Sequence, residues 1–494
     1  MLVFELQKLI STLSATEKKH FQLYCAKLQG PKDYFELYKL AQGDIATVGT
    51  WEKRFRQAHP GKSFDNAAQY LFKVLTDVLV QVRIEQDPSF AQHHYLLKAK
   101  LCLERSMPSR AQKMLKKAYA IATEHQNHSV AYQALRMEST ALADLGFPGM
   151  DEQKLVDKQM KAKLTLQSLR QLHEHYSLYE LLSYRLVKGA LAIDEENDKK
   201  INDLILSELS LTNRGSQYEF EPQKLHLLFQ SFFFIHTGDY RSSLRVFNEL
   251  NKLFDANRTM WDFPPYDYLS TLNGILDSLR SIGYYQDMVT FIGNAKVLSN
   301  GDYPEHFRTL ARLTADTYQL NMYLGTGQID DALQFLANQG SDKSATTSPE
   351  RHEIQLEYEF FESLAFFHAK QWKRANKSIH RLLVAEKHHK HLLVYRAARL
   401  LHILVAYEQD ELEYLDYEIR SYKRTFSKFG KAYKTEKLLF NTISSDPPRR
   451  GKYWKERNWG KVNNQAGVIL TEKRERQLLK YFEFTAWAAG KYGA

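Results

Sequence analysis

The sequence predicts an all-α protein. It reads as a right-handed α-solenoid of about eight helix hairpins, with an N-terminal helical cap over residues 1–88 and a basic C-terminal segment over 444–494. Three observations carry this prediction. Apolar residues recur with helical spacing along nearly the whole chain, and no alternating strand pattern closed by a hairpin turn interrupts them. Only 12 Pro and 22 Gly occur in 494 residues, too few for many short strands joined by tight turns. One turn-and-helix pattern also repeats at a nearly fixed interval.

In the cap, "SATE" (Ser14 to Glu17) fits a capping box ahead of "KKHFQLYCAKL". There the serine hydroxyl and the glutamate carboxylate would each accept a backbone N–H at the helix start. The segments "GPKDYFELYKLA", "TWEKRFRQA" and the longer amphipathic "FDNAAQYLFKVLTDVLVQVRI" follow as helices. Short helices of this size could form a helix-turn-helix-like unit with "TWEKRFRQAHPGK" as its basic helix. Trp51 and Phe55 on that segment suit a core equally well.

The array is predicted over 89–443. Its signature is a turn, an aromatic or aliphatic residue, a small residue, and an apolar residue four further on. "TGDYRSSLRVF" supplies Gly238, Tyr240, Ser243 and Phe247; "IGYYQDMVTFI" supplies Gly283, Tyr285, Met288 and Ile292. "TGQIDDALQFL" supplies Gly327, Ile329, Ala332 and Leu336; "AKQWKRANKSI" supplies Trp372, Ala375 and Ile379, with Lys370 in the glycine's place. Positions 243, 288, 332 and 375 lie 45, 44 and 43 residues apart. "PSRAQKMLKKA" fits a further copy at Ala111 and Leu115. Physically, the glycine ends one helix at positive φ. The small residue lets the next helix come close, and the apolar residue one turn on fills the gap. A single hairpin cannot bury its apolar face, so hairpins must stack. First helices are expected to begin near Ala91, His128, Glu174, Glu221, Pro264, Pro304, Pro349 and His389.

The array ends on a helix with a heptad seam: Leu412, Leu415, Ile419, Tyr422, Phe426, Phe429 and Tyr433. The seam is expected to pack on the preceding hairpin, with a second chain as the alternative. That helix starts acidic and ends basic, which complements its dipole. Beyond "DPPRR", a basic linker leads to a C-terminal helix in "TEKRERQLLKYFEFTAWAA".

The repeated signature resembles that of the tetratricopeptide-repeat superfamily, most closely between Gly238 and Ile379. The superfamily's interval is 34 residues, so the hairpins here are longer. The resemblance implies a concave face that holds a peptide or a partner protein. The opening "LSATEKKHFQLYCAKLQGPKDYFELYKL" also resembles that of uncharacterised bacterial helical-repeat proteins, which implies no function.

Catalytic chemistry finds little footing. No phosphate-binding loop, no G-x-S-x-G elbow and no H-E-x-x-H occur; "RHEIQLE" holds His352 and Glu353 without the second histidine. His388, His389 and His391, with His380 upstream, could approach a metal but lack an evident complete ligand set. The acidic run "DEENDKK" (Asp194 to Lys200) lacks a calcium-loop spacing. No cofactor is expected. The two cysteines, Cys25 and Cys102, make no disulfide framework. No signal peptide and no membrane-length apolar run are evident, so a reduced cytoplasmic setting without membrane insertion is expected.

Charge supplies the remaining clue. The chain carries a net +10, and residues 423–494 alone hold 17 Lys+Arg against 6 Asp+Glu. The excess is therefore C-terminal. Within it, Arg449, Arg450, Lys452, Lys455, Arg457 and Lys461 surround Trp454 and Trp459, and these eight residues are the candidate contacts for an anionic partner. Cations neutralise phosphates and aromatic faces stack on unpaired bases. The leading expectation is a non-catalytic scaffold that binds a protein partner, a peptide or helix, on its concave face. The alternative is an RNA- or DNA-associated protein, ribosome- or transcription-linked, using the basic segment.

Overall fold

The computed structural model describes residues 2–27, 33–42, 48–189, 195–212, 219–339, 353–384, 390, 392–427 and 432–493. Among the described residues every regular element is a helix, which agrees with the expected all-α class.

The N-terminal unit consists of α1 (Leu2–Thr12), α2 (Ala15–Lys27), α3 (Asp33–Gln42), α4 (Val48–Ala58) and α5 (Phe64–Gln86). The capping box forms as expected. The Glu17 N–H donates to Ser14 Oγ at 3.2 Å, and the Ser14 N–H donates to Glu17 Oε2 at 2.9 Å. Replacing Ser14 by Ala should cost about 1 kcal/mol of stability, read as a lower urea midpoint. Trp51 and Phe55 are buried in the core of this unit with Leu71 and Leu75, so that face of α4 serves packing. The unit also leans on the middle of the chain. The Arg83 guanidinium lies 3.7 Å from the centre of the Phe263 ring, and Thr16 Oγ1 donates to Asp302 at 3.1 Å.

The array continues with α6 (Pro88–Glu104), α7 (Pro108–Glu124), α8 (His128–Asp144), α9 (Glu152–Gly189) and α10 (Glu195–Thr212). It then runs through α11 (Phe220–Thr237), α12 (Tyr240–Ala256), α13 (Tyr266–Ile282), α14 (Met288–Asn300), α15 (Glu305–Gly325) and α16 (Ile329–Asn338). The next pairs are α17 (Glu353–His368) with α18 (Trp372–Val384), and α19 (Leu393–Glu408) with α20 (Leu412–Phe426).

The repeat signature lands where the physics requires. Gly238, Gly283 and Gly327 have φ of 72°, 79° and 75°, and Lys370 replaces glycine at 55°. Ser243, Met288, Ala332 and Ala375 are buried, as are Phe247, Ile292, Leu336 and Ile379. The copy at Ala111 and Leu115 follows Ser106, which also has positive φ. A further copy appears at Asp410, again at positive φ, with buried Leu415 five residues on.

The region from 151 to 212 departs from expectation. A first helix was expected near Glu174, but α9 runs unbroken for 38 residues, about 57 Å. It packs on α8 near one end and on α10 and α11 near the other, so one helix serves two neighbours. No Pro occurs between Glu152 and Gly189 to divide it. Pro265 and Pro304 stand at the N-caps of α13 and α15, just outside the first helical turn. Pro349 lies outside the described residues.

The seam on α20 packs inward: Leu415, Tyr422 and Phe426 are buried in the main core, and Ile419 packs against it. The helix ends sooner than expected, and Tyr433 reaches the same core from the start of α21 (Lys434–Ser445). Phe429 lies outside the described residues. The segment expected as a linker is instead the helix α22 (Lys452–Thr471). The expected C-terminal helix is two short ones, α23 (Lys473–Leu479) and α24 (Phe484–Gly490).

Candidate functional sites: a basic helix and a seated C-terminal segment

Asp446, in the left-handed region, and Pro447 turn the chain into α22. That helix buries Val462, Ala466 and Ile469 along one stripe. The eight residues singled out in the sequence then separate into two groups. Arg449 pairs with Asp410 and with Asp446, the latter at 3.2 Å. The Arg450 guanidinium lies 5.7 Å from the Trp454 ring, which stacks at 21° on Tyr492. Arg449, Arg450 and Trp454 therefore build the junction between α21, α22 and the C-terminus.

Of the other five, Lys452, Arg457, Trp459 and Lys461 are exposed on α22, while Lys455 is half-buried above the Val462 stripe. Lys452 has only a loose pair with Glu456, at 3.9 Å. Lys455, Arg457 and Lys461 have no ion-pair partner among the described residues. Trp459 is 46% exposed, and Tyr453, interleaved with the same cations, is 80% exposed. Tyr453, Arg457 and Lys461 are spaced four residues apart, so they share one helical stripe.

The second site was not expected at all. The C-terminal segment from Lys473 to Tyr492 contacts α11, α13, α17, α19 and α21 in turn. Gln477 donates to the His236 carbonyl at the end of α11, and Lys473 Nζ donates to Asp239, the N-cap of α12, at 3.0 Å. At α13, Lys480 Nζ donates to both Asp277 oxygens, at 3.2 and 3.0 Å. At α17, the Tyr481 hydroxyl donates to Glu357 at 3.1 Å, and its ring meets Phe360 edge-on. At α19, Trp487 Nε1 donates to Glu408 at 2.9 Å. Tyr492 then reaches Ser445 at the end of α21, at 2.8 Å. Leu478, Tyr481, Phe484 and Ala488 join the core of α17 and α19. This explains why α13, α17 and α19 are buried on nearly all sides.

A charge cluster forms the centre of the seat. The Arg280 side chain is 1% exposed, pairs with Asp277, and reaches Glu357 at 3.2 Å. Lys480 closes the cluster at 12% exposure. Burial alone would raise the Asp277 carboxyl pKa, but Lys480 and Arg280 outweigh it and hold the group below its ordinary range. Burial would lower the Lys480 pKa, but Asp277 raises it above the ordinary lysine range. Asp277, Arg280 and Lys480 are thus held in their charged forms near neutral pH. A sequence signal did exist. Asp277 and Arg280 interrupt the apolar run "LNGILDSLRSI", and Lys480 interrupts "LLKYFEF".

No described group of three His, Cys, Asp or Glu residues is placed to hold a metal. His388, His389 and His391 lie outside the described residues. Among the described residues no helix is long and apolar enough to cross a membrane, and Cys25 and Cys102 are not joined in a disulfide.

The fold and contacts define an all-helical protein of neighbour-packed helices, consistent with helical repeats. Comparison with protein-family models, curated proteins and solved structures finds no match to this chain.

Proposed function

We propose that this chain is a non-catalytic interaction scaffold, built as a right-handed, tetratricopeptide-like solenoid of about eight long hairpins. Its first helices bind a segment of another protein. The supporting observation is the seat of residues 473–492, where α11, α13, α17, α19 and α21 together hold a segment remote in sequence. A row of helices that recognises one such segment has the geometry to recognise another.

That seat is already filled by the chain's own residues 473–492. The N-terminal hairpin differs. On its first helix, α6, Leu97 and Leu101 lie one turn apart and are 62% and 57% exposed. Two exposed leucines on one stripe suit an apolar face of a partner helix. Capture from nuclease-treated lysate of the native cell tests this reading. The double substitution Leu97→Asp, Leu101→Asp should abolish capture of a specific protein while leaving the thermal midpoint unchanged. Equal capture by the variant overturns the assignment to α6.

A further inference from the structure

We propose that the outward face of α22 is a binding surface for single-stranded nucleic acid. Tyr453 and Trp459 would be its stacking platforms, with Lys452, Arg457 and Lys461 as its phosphate contacts. The reasoning starts from what these side chains do not do. Fold-building cations in this chain find partners: Arg449 has two carboxylates, and Arg450 has the Trp454 ring and the Ser445 carbonyl, at 3.2 Å. Lys455, Arg457 and Lys461 have no ion-pair partner among the described residues, although they sit on a regular 20-residue helix. Glu456 is the single acidic residue between Lys452 and Thr471, and it engages only Lys452. The face therefore carries uncompensated positive charge, complementary to a polyanion.

The aromatics decide which polyanion. Trp454, one residue from Tyr453, is stacked against Tyr492, so this helix can bury an aromatic ring where the fold needs one. Tyr453 and Trp459 are instead held in solvent, flanked by the unpaired cations. An acidic peptide would use the cations and leave the rings without a role. Unpaired bases would use both, since each base offers a face to stack and each phosphate a charge to neutralise. Duplex nucleic acid keeps its bases stacked on one another, so its faces are not offered. Gly460 and Gly467 have open space where a Cβ would be, so a backbone can approach the helix closely there.

Fluorescence anisotropy of the full chain with labelled 12-mer oligouridylate and oligothymidylate tests this, titrated across a salt series. Both probes should bind, with affinity falling steeply as salt rises; tighter binding of one identifies ribose or deoxyribose as preferred. The variant Arg457→Gln, Lys461→Gln should lower the log–log salt slope by about 1.4, at about 0.7 per lost phosphate contact. The variant Tyr453→Ala, Trp459→Ala should weaken binding by about tenfold or more with the slope unchanged. All four side chains are exposed, and thermal midpoints matching the parent confirm that folding is intact. The proposal is overturned if the parent chain shows no salt-dependent binding, or if both variants bind like the parent. It is also overturned if duplex of the same length, or polyglutamate, competes as well as the single strands.

Discussion

Replacing Arg280 by Ala should lower the unfolding free energy by about 3–5 kcal/mol, the range for a buried ion pair that loses one partner. The side chain is 1% exposed and lies between Asp277 and Glu357. Its guanidinium also lies 5.2–5.5 Å from the Tyr318, Phe361 and Tyr481 rings. Truncation leaves two carboxylates in a poorly hydrated site facing Lys480 alone, and it opens a cavity among three rings. Chemical denaturation of the parent and variant chains reads the effect. A variant within about 0.5 kcal/mol of the parent, the size of an ordinary surface change, would show that water already reaches the cluster. Lys480→Met makes a useful contrast. It keeps the volume and leaves Asp277 paired with Arg280, so its cost should be smaller.

The same cluster sets an acid limit on the seat. Asp277 has a folded-state pKa below its ordinary value of 3.8. The stabilisation it contributes is therefore fully present above that value, and it is lost as pH falls through the lower, folded value. Loosening of residues 473–492 that tracks Asp277 should thus begin only below about pH 4, where its unfolded form begins to take up a proton.

What could be read from sequence, and what could not, follows from how far apart the interacting residues are. A turn at positive φ and an apolar residue one helical turn along are local requirements, so they recur visibly at Gly238, Gly283 and Gly327. The copy at Asp410 obeys the same geometry but was obscured, because an aspartate adopts the left-handed region there without glycine's signature. The unbroken α9 was missed because apolar residues serve different neighbours along its length, which mimics a change of helix. The seat of the C-terminal segment joins Lys480 to Asp277 and Tyr481 to Glu357 across 203 and 124 residues. No periodicity encodes such a contact. On α22, composition alone cannot separate Trp454 from Trp459. Five residues apart, they face different sides of the helix, and one stacks on Tyr492 while the other meets solvent.

Gly238→Ala should release the front of the C-terminal segment, and Gly283→Ala should not. Both glycines cap first helices in the left-handed region, at 72° and 79°. An alanine at either position therefore carries the same conformational penalty, about 1–2 kcal/mol. Their surroundings differ. A Cβ on Gly283 meets nothing within 4 Å, whereas one on Gly238 would lie 2.1 Å from the Lys473 carbonyl oxygen. That obstacle is backbone and cannot swing aside, so the segment must move. The bonds from Gln477 to His236 and from Lys473 to Asp239 stretch with it. Hydrogen exchange across residues 472–480, or trypsin cleavage after Lys473 and Lys480, separates the two variants. Gly283→Ala should lose stability while those residues stay as protected as in the parent. Gly238→Ala should lose protection there by about tenfold beyond the Gly283 variant, because a further 1.4 kcal/mol of clash corresponds to that factor. Equal protection in both would mean that the segment does not depend on its approach to α11. It would then be anchored by Lys480, Tyr481 and the core residues behind them, and the first helices would hold it from α13 onward. Greater exposure in the Gly238 variant would instead show that the seat opens from its α11 end, where its contacts are polar and most open to solvent.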